Sequence, residues 1–253
     1  MLLQLKFNFL AILFQGLSYC IFALIYKSIL QLHLNFLYQL FMPTSPQDSI
    51  TINDTSYNLQ EVETLAWKKL VNGSVKKKNG FRTMCVGTLN ENNTAALRIV
   101  VNRKVDEVNK TIYFHTDNRS RKCYDLQKDN RISLLFYDAR QRVQIVVKAH
   151  ATLHTNDALS NDRWKATSPQ ARLGYMTLEP PNTKSDHPTL GYEERFSTIK
   201  PTDSESDLFQ ENFTVVACAV YELEFLYLDF TGNRKANFFY ENSVLQDSFW
   251  TVP

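Results

Sequence analysis

Glycine is scarce in this chain, seven in 253 residues, and no GxGxxG or GxxxxGK[ST] pattern occurs. That sets aside the nucleotide-binding classes whose phosphates rest on such loops. Cysteine is equally sparse. Cys20, Cys85, Cys123 and Cys218 stand far apart with no CxxC pair, and three of them lie in or beside apolar runs. Small buried thiols are the expectation, with neither a disulfide framework nor a zinc site. The five histidines include no HExxH, and His150 and His154 fall on or beside an expected strand. An excess of one charge is also lacking. A formal net charge of +2 gives no case for a nucleic-acid partner, which calls for a basic face.

The N-terminus is different in kind. Residues 7–26, FNFLAILFQGLSYCIFALIY, carry no charge and are flanked by Lys6 and Lys27. A helix of that length spans a hydrocarbon layer about 30 Å thick. No small-residue cleavage pattern follows, so an uncleaved membrane anchor is one reading. The other is a cytoplasmic protein that starts at Met42, with the preceding residues an artefact of start-codon choice. The domain plan is an apolar extension over 1–41, a polar linker over 42–56 and one domain over 57–253.

That domain opens on an expected helix from Asn58 to Val71, where Asn58 and Glu61 form a capping-box pair ahead of an apolar stripe. The Lys76 to Lys78 run reads as a solvated loop. Short β-branched and aromatic segments then dominate: 81–89, 94–102, 111–115, 131–138 and 142–153. The links between them are short. Antiparallel strands curled into a barrel, with flanking helices, suit this pattern better than a βαβ sheet. A short helix is expected over 156–164. The polar, proline-bearing stretch 177–207 reads as a long excursion, a lid or a disordered loop. Strand character returns over 212–230 and 234–240. Trp67 and Trp164 read as packing residues. The 225–240 region is apolar on both faces, which points to a partner surface.

One stretch, TIYFHTDNRSRKCYDLQKDN at 111–130, raises a chemical question. A strand ends at Thr116, Ser120 stands at an N-cap position, and Arg121 and Lys122 fall in the first helical turn. Cations there oppose the helix dipole, and an anion held by them and by free backbone N–H groups would reverse the penalty. The alternative is a charged turn with no ligand. Arg98 interrupts the apolar run AALRIVV and faces either a ligand or solvent on a half-exposed sheet. Arg103 follows just past that strand. Gln144, in RVQIVV, could offer a planar heterocycle both a donor and an acceptor.

Together, RIVVNR (98–103), YFHTDNRSRK (113–122), SLLFYD (133–138) and QIVVKAHA (144–151) resemble the pyridoxamine 5'-phosphate oxidase-like flavoproteins. These are FMN-binding split β-barrels, and order and spacing agree over roughly residues 58–175. The resemblance implies FMN as cofactor, with Arg98, Arg103, Arg121 and Lys122 on its phosphate and ribityl groups. Thr116 and the backbone at His115 would contact phosphate or isoalloxazine, Ser120 would cap the helix beside the phosphate, and Gln144 would reach the ring. It also implies a homodimer with FMN at the subunit interface, and a small-molecule electron donor with oxygen or another acceptor.

Departures lie on the substrate side. The tryptophan of the family's Glu-Phe-Trp is missing from LEFLYLDF, and only Arg234 stands near the family's arginine pair. Trp250 and Pro253 echo the family's C-terminal Trp-x-x-x-Arg-Leu-x-Pro without its Arg-Leu, and Ala149 replaces a usual glycine. The chain is therefore nearer the shorter FMN-binding relatives than the true vitamin B6 oxidases. The expected function is an oxidoreductase acting on an unknown small molecule. The alternatives are a non-catalytic FMN-binding module, or a split barrel that binds haem or a deazaflavin.

Overall fold

A computed structural model of the chain describes residues 48–253. The apolar segment 7–26 lies outside the described residues. Among those described, no helix is long and apolar enough to cross a membrane. Residues Ile50–Pro253 form one compact unit, which holds the main sheet.

The end of the expected linker is a hairpin, β1 (Ser49–Ile52) paired with β2 (Thr55–Asn58). Asn53 and Asp54 both take positive φ, 48° and 63°, as a tight two-residue turn requires. Helix α1 (Leu59–Val75) begins at the Asn58–Glu61 capping box and runs beyond the expected end at Val71. It buries Val62, Ala66, Trp67 and Leu70. Gly73 permits its last turn to lie on the next segment, since a Cβ there would stand 2.3 Å from the Phe81 carbonyl oxygen.

The strands that follow are β3 (Thr83–Leu89), β4 (Ala95–Val101), β5 (Lys104–Asp106) and β6 (Thr111–Asp117). After helix α2 (Arg121–Lys128) come β7 (Arg131–Asp138) and β8 (Val143–Thr155). Helices α3 (Ala158–Lys165), α4 (Pro169–Arg172) and α5 (Asp203–Asp207) precede β9 (Phe213–Tyr227), β10 (Arg234–Glu241) and β11 (Val244–Thr251). All pairings are antiparallel, in the order β11-β10-β9-β8-β7-β3-β4, with β6 joined to β9 and β5 to β6. This is the mostly β, antiparallel fold with flanking helices that the strand pattern implied, and it fits the split barrel that the resemblance implied. β5 and β11 are additions to it. β11 is hidden in sequence because VLQDSFWT interrupts its apolar residues with charge and amide.

Strand β9 explains the split. One edge pairs with β8 along nearly its whole length, while the other pairs first with β6 (Phe213 to Ala219) and then with β10 (Glu222 to Tyr227). At the changeover Tyr221 is bulged out, because Lys148 faces Glu222 and Ala149 faces Val220. The inner faces supply the core, with Val86, Leu134, Phe136, Ile145 and Phe225 fully buried. The opposite face of the β4-β3-β7 edge is unlike them. Leu97 is 69% exposed and Ile99 68%, and Leu135 and Tyr137 lie open beside them.

Within the excursion at 177–207, residues 178–190 are exposed, and the segments on either side of them are tied to the body. Its charges act as internal fasteners. Arg172, 3% exposed, donates to Asp203, Ser206 and Asp207. Arg119 donates to the Thr177 carbonyl and hydroxyl, and Phe196 packs with Leu173 and Met176. Trp67 and Trp164 are core residues, and Cys123 and Cys218 are buried while Cys85 is partly open.

Candidate functional site

Strand β6 alternates as any strand does, so its successive side chains serve opposite faces. Phe114 and Thr116 turn one way and Tyr113 and His115 the other. Two groups of polar residues form, one on each side.

On the Thr116 side, the chain turns at Asn118 and Arg119 and enters α2 at Arg121. Ser120 takes the N-cap position but makes no capping hydrogen bond. Its hydroxyl instead accepts from Lys122 Nζ at 3.1 Å, and the Thr116 hydroxyl accepts from the same ammonium at 2.8 Å. Lys122 enters no ion pair among the described residues. Burial pushes it below the usual lysine range, and the charge of Arg98 adds to that while Cys123 and Asp117 oppose it. A half-dehydrated ammonium satisfied only by hydroxyls is short of a counter-charge.

Arg98 completes this corner. It turns toward α2, donating to the Thr88 hydroxyl at 2.8 Å and lying 3.9 Å from the buried Asp125 carboxylate. The outward reading of Arg98 therefore does not hold, and the reason is local: Leu97 and Ile99 take the exposed face of β4. Burial lowers the Arg98 pKa, and Asp125 opposes the shift. Arg121 is the outermost member. It pairs with Glu91 at 2.7 Å and with Asp125 at 3.4 Å. The first-turn N–H groups of α2, two hydroxyls and the cations make a donor set suited to a phosphate monoester. Thr88 and Asp125 were missed in sequence. The i,i+4 spacing of Arg121 and Asp125 was the available signal.

On the His115 side lies a cavity of about 380 Å³, and Arg103 points into it along with Arg82, Lys104 and Arg163. Arg103 thus stands apart from Arg98 and Lys122. His115 lines the same cavity, its ring edge-on to Phe213 at 4.8 Å, with both ring nitrogens buried and without a partner. Burial, then Arg103 and Arg163, push its pKa down to about 3. Arg82 and Arg163 were also missed, because neither interrupts an apolar run.

Two residues of the expected set lie elsewhere. Gln144 sits opposite Tyr137 on the exposed apolar side of the sheet, and Arg234 begins β10, donating to the carbonyls of Gly232 and Asn233. No group of His, Cys, Asp and Glu among the described residues is arranged to hold a metal ion.

A split barrel with a cationic corner at the start of the helix after its β6 strand defines a class, and the comparisons agree with it. Residues 75–190 match the family model described as pyridoxamine 5'-phosphate oxidase. A Nostoc punctiforme structure, described as a pyridoxamine 5'-phosphate oxidase-related, FMN binding protein, is 18% identical, with 75% of this chain and 96% of that one covered at a TM-score of 0.60. PhzG from Burkholderia lata, solved with tetrahydrophenazine-1-carboxylic acid, is 14% identical, with 75% and 91% covered at a TM-score of 0.57. No curated protein matches. The resemblance to the pyridoxamine 5'-phosphate oxidase-like group stands, at a distance from the true B6 oxidases.

Proposed function

We propose that this protein is an FMN-binding flavoprotein and an oxidoreductase acting on a small molecule. The observation that carries this reading is Lys122: a partly buried ammonium at the first turn of α2, held by the Thr116 and Ser120 hydroxyls, with no carboxylate of its own. An FMN phosphate supplies the missing charge. Lys122, Arg98, Thr116 and Ser120 would hold it, with Arg121 at the rim. Each charge-assisted hydrogen bond of this kind contributes about 1.5–3 kcal/mol.

When bound, the flavin supplies the two-electron redox chemistry. The chain's own part is to fix the phosphate, keep water from the corner through the buried Thr116 and Ser120, and neutralise charge with Arg98 and Lys122. The ring end draws on Gln144, which lies with Leu135 and Tyr137 on the exposed apolar face. A second copy covering Leu97 and Ile99 would place Gln144 beside the subunit boundary, so the reading includes a homodimer. Arg234 stands near the same end of the sheet, opposite Tyr227, which in turn pairs with Val143.

The test is the absorption spectrum of purified protein, with release and identification of any pigment on denaturation. Released FMN, absent from a Lys122→Ala/Arg98→Ala variant that still melts cooperatively, supports the reading. A colourless protein that does not take up added FMN overturns it. Bleaching by a donor in the absence of oxygen separates turnover from a module that only binds FMN.

A further inference from the structure

Three turns meet at the end of the sheet where β7 passes into β8: residues 75–80 after α1, 138–142 between β7 and β8, and 228–235 between β9 and β10. The first two are locked together. Gly80 lies so close that a Cβ would stand 2.3 Å from the Asp138 carboxyl carbon, and Arg140 donates to the Lys78 carbonyl at 3.4 Å. Arg142 joins the third, pairing with Asp229 at 3.0 Å and donating to the Tyr227 hydroxyl at 2.6 Å.

Their charge is one-sided. Lys76, Lys77, Lys78, Arg140, Arg142, Arg234 and Lys235 stand against Asp138 and Asp229. Asp138 is buried and accepts from the Arg140 N–H and the Gln141 amide, while Asp229 is taken by Arg142 and Lys235 pairs with Glu224. Lys76, Lys77 and Lys78 are exposed and enter no ion pair among the described residues. Arg140, its side chain 77% exposed, comes no nearer to Asp138 than 3.7 Å.

Apolar side chains stand among these cations. Phe230 is 92% exposed at the tip of the β9–β10 turn, and Val75 is 72% exposed beside Lys76. The tip is braced. Thr231 donates from its N–H and its hydroxyl to the Asp229 carboxylate at 2.9 and 2.8 Å, and the Gly232 N–H donates to the Asp229 carbonyl at 3.0 Å. An ordered turn thus holds an aromatic ring outward, where it joins none of the apolar clusters.

The combination favours one kind of partner. Lysine is depleted in protein interfaces, so a run of three argues against a folded protein. A nucleic acid would take the cations and leave Val75 in water. A bilayer with anionic lipids answers both, because its headgroups attract Lys and Arg within a screening length of about 8 Å and the boundary beneath them accepts apolar side chains.

We propose that this end of the domain is a docking surface for a bilayer containing anionic lipids. Lys76, Lys77, Lys78 and Arg140 lie on the headgroups, and Phe230 and Val75 enter the boundary below them. The proposal rests neither on the flavin reading nor on the segment 7–26.

The test is vesicle binding by the full chain carrying Phe230→Trp, with the parent as background for Trp67, Trp164 and Trp250. The vesicles are phosphatidylcholine alone or with about one-third phosphatidylserine, their acyl chains brominated to quench tryptophan. Quenching at position 230 is expected on the anionic vesicles and should be lost in about 0.5 M salt. It reports where this end of the domain lies, whatever else holds the chain to the vesicle. Lys76→Gln/Lys77→Gln/Lys78→Gln in the same background should weaken the anionic titration tenfold or more. Its melting temperature should not change, because the three side chains are exposed. Failure of quenching on anionic vesicles overturns the proposal, and so does equal quenching on neutral ones or an unchanged titration in the triple variant. A mixed-sequence oligonucleotide that binds the parent, is lost in the triple variant and excludes the vesicles also overturns it, since the partner is then a nucleic acid. A protein that docks but carries no FMN would sink the flavin reading and leave this one intact.

Discussion

The two faces of β6 handle positive charge in opposite ways. On the Thr116 side, Arg98 lies close to a buried acid and Lys122 is held by two hydroxyls. On the His115 side, the cations line an open cavity that contains no acid. Two residues adjacent in sequence, His115 and Thr116, therefore face different surroundings. A family pattern read along the chain puts Arg98, Arg103 and Lys122 in one set, and strand alternation divides them.

Breaking the corner should give the largest effect. Arg98→Ala/Lys122→Ala removes at least two charge-assisted contacts, so FMN affinity is expected to fall by about 10²–10⁴-fold. Calorimetry with FMN on the parent and the variant would check it. Next comes the exposed sheet face. Leu97→Glu/Ile99→Glu puts like charges on the surface where a second copy is proposed, and light scattering should show a monomer with weakened flavin retention. A dimer that persists would remove that face from the proposal.

The pH profile separates the two sides without any ligand. His115 has a folded pKa of about 3, below the unfolded value of about 6.5, so between those limits the unfolded chain binds the extra proton. The stability that neutral His115 contributes is fully present above about pH 6.5 and is lost as the pH falls, at about 1.4 kcal/mol per unit. His115→Gln should remove that component of the slope in urea midpoints measured from pH 7 to 4.5. The smallest effect is expected from Thr116→Val, which deletes one hydroxyl beside Lys122. It should cost FMN about tenfold in affinity, read by the same calorimetric titration.

Much of this was legible in the sequence because period-2 runs carry both strand and face. β7 is found with the expected bounds, and the capping box at Asn58 marks the start of α1 to the residue. Lys122 was legible because a cation in a first helical turn conflicts with the helix dipole. What stayed hidden depends on distance across the fold. Asp125 reaches Arg98 only because α2 packs near β3, and Arg163 comes to the same cavity as Arg103 only when α3 packs on β8 and β9. In the excursion, Asp203 and Asp207 meet the buried Arg172, a pairing across about 30 residues that no local pattern marks.

The bulge at Tyr221 also bears on motion. There β9 changes partner on one edge and slips register on the other, so the sheet's hydrogen-bond ladder is thinnest at that single residue. A joint of this kind acts as a swivel between two half-sheets, and amide exchange around Tyr221 should be the fastest within β9. β6 rides wholly on one side of that swivel. Any rocking of the halves would carry His115 and Thr116 together, altering the distance from both to the Gln144 end of the sheet while leaving their own separation fixed.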